Sequence, residues 1–112
     1  MLTGKCKEDF EKWYPTRQNN SFEHTGMAIV DYFYGECERT TDFSMQYGVY
    51  VDFFDSVGIN VSLKLCGYLK YDYSIKDSES QILLFTEYDW SQTRPEARQK
   101  AILKANEIYN TL

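Results

Sequence analysis

The stretch from Phe43 to Ile75 constrains this 112-residue chain most, because the apolar period changes within it. In its first half Tyr47, Tyr50, Val51, Phe54 and Val57 recur every three or four residues, while Gly48, Asp52, Asp55 and Ser56 fall on the other side. That is a helix with one buried face. Met45, Tyr47, Val49, Val51 and Phe53 also alternate as a strand would. Gly58 decides for a helix over about 44–57, because glycine accepts the left-handed conformation that closes many helices. From Ile59 to Ile75 every odd position is apolar or glycine and most even ones are polar. A period of two is a half-buried sheet.

That β-region is too long for one ordinary strand. It reads either as one strand bent at Gly67 or as two strands joined around Cys66, Gly67 and Tyr68. A glycine inside a strand pattern marks a bulge, which favours the bent strand. Lys76 to Ser80 is a turn, and Gln81 to Tyr88 is the returning strand of an antiparallel pair. Upstream, Thr3 caps a helix over about 3–14 whose stripe is Leu2, Cys6, Phe10, Trp13 and Tyr14; Pro15 ends it. Residues 16–24 are polar turn material anchored by Phe22. Residues 25–38 read as a helix, since Ile29, Tyr32, Phe33 and Cys37 align at helical spacing, although their β-branched and aromatic content also suits a strand. Thr93, Pro95 and Glu96 open a last helix over about 93–110, through a capping box and a first-turn proline. Its stripe is Ala97, Ala101, Ile102, Ala105, Ile108, Tyr109 and Leu112. The expected fold is a single α+β domain over 1–112, a small antiparallel sheet of two or three strands packed by helices.

The net charge of −5 is unevenly spread. Between residues 18 and 63 the acids Glu23, Asp31, Glu36, Glu38, Asp42, Asp52 and Asp55 face Arg39 alone, whereas the last helix is mildly basic. Three widely spaced cysteines (Cys6, Cys37, Cys66) with no Cys-x-x-Cys pair fit reduced thiols in a cytoplasmic protein. No apolar run approaches the roughly 20 residues that span a bilayer, so no membrane association is expected.

For catalysis the residues offer little. His24 stands in a polar loop without partners at motif spacing, and there is no phosphate loop or nucleophile elbow. Asp52 and Asp55, three apart on a helix, could pair as acid and base or hold a cation with Asp42, but such pairs are usually a solvated face. The expectation is no catalytic residue, no metal and no cofactor. A basic surface of Arg94, Arg98, Lys100 and Lys104, with Lys64, Lys70, Tyr68 and Tyr71 nearby, is sparser than most duplex-binding footprints, so direct nucleic-acid binding is not expected. The charge layout points instead to a protein partner. Glu36, Glu38, Asp42, Asp52 and Asp55 with Tyr34, Tyr47 and Tyr50 would form an acidic patch interleaved with rings, suited to a basic protein surface.

The segment Ser-Met-Gln-Tyr-Gly-Val-Tyr-Val-Asp-Phe-Phe-Asp-Ser-Val-Gly-Ile (44–59) resembles the centre of a group of small bacteriophage and prophage proteins without a settled activity. Thr-Arg-Pro-Glu-Ala-Arg-Gln-Lys-Ala-Ile-Leu-Lys-Ala-Asn-Glu-Ile-Tyr-Asn (93–110) is similar to their closing helix. His24 to Thr41 departs from that pattern and resembles an insertion. The resemblance implies a phage-encoded, non-enzymatic inhibitor or modulator of a host protein, such as a nucleic-acid-guided defence nuclease, of the anti-CRISPR or anti-defence type, acting in the cytoplasm of the bacterial host. The alternatives are a module binding a nucleotide-like small molecule in an aromatic pocket, or an enzyme without a recognisable motif.

Overall fold

The first helix starts on a borrowed cap. In the computed structural model, which describes residues 2–17, 43–86 and 90–112, α1 spans Gly4–Arg17. The carbonyl of Thr3 accepts from Lys7 N, as an N-cap residue does, but the free N–H groups find their acceptors on the last helix. Thr3 N donates to Asn106 Oδ1 at 2.9 Å and Cys6 N to Asn110 Oδ1 at 2.8 Å. The two amides donate back, Asn106 Nδ2 to Thr3 Oγ1 and Asn110 Nδ2 to Thr3 O. At its far end α1 passes the expected stop and carries Pro15 inside it. A proline in the last turn removes only one N–H, and the Thr16 hydroxyl donates to Trp13 O at 2.7 Å there.

Helix α2 spans Phe43–Ser56 and ends where the period changes. Gly58 has φ +88°, in the left-handed region expected of it, and Gly58 N donates to Asp55 O. Strand β1 (Ile59–Gly67) follows at once, then β2 (Lys70–Asp77), β3 (Leu83–Thr86) and helix α3 (Arg94–Thr111). The strands form one antiparallel sheet in the order β1-β2-β3. With the three helices, this is a small α+β fold. None of these helices is long and apolar enough to cross a membrane.

The region 59–75 is a hairpin, not the single bent strand favoured from its alternation. Gly67 pairs with Lys70 across a two-residue loop, Tyr68-Leu69, with Leu69 at φ +52°. Such a loop pairs an odd position with an even one. A bulge between Leu65 and Gly67 then shifts the register by one residue. Below it Leu65 faces Tyr71, Leu63 faces Tyr73, Val61 faces Ile75 and Ile59 faces Asp77. The loop and the bulge cancel in parity, which is why one alternation runs unbroken through two strands. The returning strand is shorter than the expected 81–88; Glu87 and Tyr88 lie outside the described residues, as does the expected helix 25–38.

One core joins these elements. Phe53 meets Phe10 edge-on at 5.5 Å between ring centres and lies 5.3 Å from Phe54 and 5.9 Å from Tyr109. Tilted and edge-on pairs at such distances are the favourable ring arrangements. Ile59, Val61, Tyr73 and Ile75 close it from the sheet, and Ala101, Ile102 and Ala105 from α3, where small side chains let the helix sit close. Three positions correct the expected stripes. Phe53 is fully buried, whereas Val57 and Leu112 are exposed at the helix ends, beyond the reach of the core.

Candidate functional site

Of the residues expected to meet a partner, Tyr34, Glu36, Glu38 and Asp42 lie outside the described residues, as do His24 and Cys37. Asp52 and Asp55 are exposed on α2. Tyr47 is half-buried, with the Arg98 guanidinium 5.5 Å from its ring centre. Burial pushes the Tyr47 hydroxyl above its ordinary pKa and the Arg98 charge opposes that shift, so the phenol is neutral at physiological pH. Tyr50 belongs to the core: it is 1% exposed and its ring lies 5.2 Å from Phe10. Its place one turn from Phe53 and Phe54 points it inward, so no partner reaches it.

The sheet separates two different surfaces. Strand β1 has nine residues, so its ends stand about 26 Å apart at about 3.3 Å per residue. At its start, α2 ends and the β2–β3 turn folds back: Ser78 N donates to Gly58 O at 3.0 Å and Asp77 N to Ile82 O at 2.9 Å. This end carries Asp55, Asp77 and Glu79 against Lys76, together with exposed Val57, Ile82 (63%) and Leu83 (51%). Asp77 Oδ1 accepts from Ser80 N and Glu79 N, each at 3.0 Å, and these bonds hold its carboxyl below the usual range. Asp55 Oδ1 accepts from Asn60 Nδ2 at 3.3 Å. The apolar members escaped the sequence reading, although the unbroken run Ile82-Leu83-Leu84 in a strand expected to alternate was a signal for them.

Along the middle of β1, from Val61 to Leu65, lies an open groove of about 340 Å³ between α2, β1, β2 and the first turns of α3. The helical spacing of Arg94 and Arg98 brings both onto this side of α3. The Arg94 guanidinium lies 5.6 Å from the Tyr71 ring centre, as Arg98 does over Tyr47. The apolar Val51, Leu63 and Leu65 complete the wall, and among the described residues no acidic side chain lines it; Lys64 borders it from the polar face of the sheet, opposite Asp72. Beyond the groove the hairpin tip exposes Tyr68 (89%) and Leu69, with Lys70 Nζ 4.1 Å from the Trp90 ring centre. The basic residues named from the sequence thus divide. Arg94 and Arg98 converge on the groove, whereas Lys64 stands opposite Asp72 on the polar face, Lys100 pairs with Glu96 and Lys104 with Glu107 along the helix.

Near the hairpin tip one thiol is held protonated. Cys66 is exposed on the bulge, and desolvation together with the adjacent Asp72 carboxylate, which accepts from its thiol at 3.6 Å, raises its pKa. A raised thiol is a poor nucleophile. Asp72 also accepts from Tyr73 N at 2.7 Å. Among the described residues no three His, Cys, Asp or Glu side chains gather as a metal site. Comparison of the chain with protein-family models, curated proteins and solved structures finds no match.

Proposed function

We propose that this chain is a non-enzymatic binding protein that acts by docking on a protein with a basic surface. The observation behind this reading is the acidic and apolar end of the sheet, where exposed Val57, Ile82 and Leu83 share a surface region with Asp55, Asp77 and Glu79. Apolar anchors give an interface its affinity, and charges beside them select the partner and speed the encounter. Asp77 suits that role because the backbone donors of its turn favour its ionised form. The resemblance to phage proteins supplies the context: an inhibitor or modulator of host machinery in the bacterial cytoplasm, with a nucleic-acid-guided defence nuclease as the class of target. Such a nuclease carries a basic channel for its guide and substrate, the complement of this surface.

The test is capture from host lysate on the immobilised chain, followed by affinity measurement with the purified partner. A stoichiometric partner is expected. Replacing Ile82 and Leu83 by serine should weaken it about tenfold or more, since interface anchors contribute more than about 1 kcal/mol each. Asp55→Lys with Glu79→Lys should slow association and flatten its dependence on salt. A partner indifferent to both pairs of changes would remove this surface from the function.

A further inference from the structure

We infer that the groove beneath Arg94 is a nucleotide-binding site, taking phosphate on Arg94 and a flat heterocycle on the apolar floor beside Tyr71. It shares no residue with the proposed protein-docking surface and does not depend on it. Two arginines line it and, among the described residues, no acid does, in a chain whose net charge is −5. Positive charge gathered in one concavity of an acidic protein selects an anion locally. Among the described residues Arg94 has no carboxylate partner; its guanidinium lies over the Tyr71 ring. An arginine lying over a ring spends its flat face there and keeps its in-plane N–H groups for an oxyanion.

Phosphate alone does not account for the rest of the wall. Val51, Leu63 and Leu65 line the groove as well, and Leu65 is a large apolar side chain left exposed. The volume of about 340 Å³ lies at the small end of the roughly 300–1,000 Å³ usual for small-molecule sites. That suits a single nucleotide unit, either free or as one residue of a single strand. Aromatic rings beside a basic groove are also how single strands are held.

The test uses the full chain and calorimetric titration with adenosine monophosphate, uridine monophosphate, a short oligothymidylate and inorganic phosphate. Saturable binding of the mononucleotides is expected, with inorganic phosphate at least about tenfold weaker for want of the apolar contact. Arg94→Glu should weaken nucleotide binding about tenfold or more, as loss of a charge-assisted hydrogen bond does. Tyr71→Leu should weaken nucleotide but not phosphate. Tighter binding of the oligothymidylate supports the site as part of a single-strand track, and equal binding supports a free nucleotide. Failure of every nucleotide probe, phosphate binding as tight as nucleotide, or indifference to Arg94→Glu overturns the assignment. Because Arg94 is exposed, its variant carries the test even if Tyr71→Leu fails to fold.

Discussion

Two asparagines on α3 set how the chain begins. Asn106 and Asn110 lie one turn apart, so both amides reach the first turn of α1, where they accept from Thr3 N and Cys6 N. Gly4 is part of the same joint: its φ is +59°, and a Cβ there would stand 3.2 Å from Asn110 Oδ1. Asn110→Ala should cost about 1–2 kcal/mol in denaturant unfolding, the range for a lost helix cap or a stranded buried donor. Nearby, burial pushes the Cys6 thiol up to about 12, with the Asp9 charge adding to it. The Tyr109 hydroxyl is likewise pushed up to about 12 by burial and by its bond to Asp9. Both groups are neutral when protonated, so the folded state holds protons that the unfolded chain releases. Their contribution is full below about pH 9, where unfolded cysteine begins to ionise, and is lost as pH rises toward 12. Thermal melts across that window should show stability falling with pH, less steeply in Cys6→Ala.

At the scale of elements, the hairpin depends on two compensating irregularities. The bulge at Cys66 restores the pairing that a two-residue loop would otherwise flip, and so keeps Val61, Leu63, Tyr73 and Ile75 on one face. Deleting Cys66 brings Leu65↔Tyr71 next to Gly67↔Lys70 without changing any pair below, so the shortened chain should keep its fold. Deleting Ser74 instead moves Ile75 opposite Ser62, on the polar face, and should abolish cooperative unfolding. Circular dichroism with denaturant melts separates these outcomes. Gly58→Ala tests the other junction: nothing lies within 4 Å of the added Cβ, so only the left-handed backbone opposes it, at about 1 kcal/mol. The element boundaries were largely legible in the sequence, because Gly58, Thr93 and Pro95 are local signals with local causes. The hairpin was not, because its two shifts cancel in the pattern by which strands are read.

For the whole molecule, the net charge is a poor guide to what each surface offers. Separate surfaces carry opposite signs, with Asp55, Asp77 and Glu79 where β1 begins and Arg94 and Arg98 on the groove. The two surfaces have no residue in common, so each acts on its ligand separately. Arg94→Glu should therefore leave capture of a protein partner within about twofold, and Asp55→Lys should leave nucleotide titrations equally unchanged. Loss of both activities from either change would mean that one surface serves both.

Local pattern was enough to determine the helix stripes, the change of period at Gly58, the capped last helix and the absence of a long apolar span, since each follows from residues a few positions apart. It was enough, too, to name Arg94, Arg98, Tyr47 and Tyr71 individually. Tertiary packing alone decided that they share one groove, and that Asn106 and Asn110 cap a helix about a hundred residues away. The physical reason is reach: periodicity tells which side of an element turns inward, whereas the partners across the core depend on register and on how the elements pack, and neither is written in spacing along the chain.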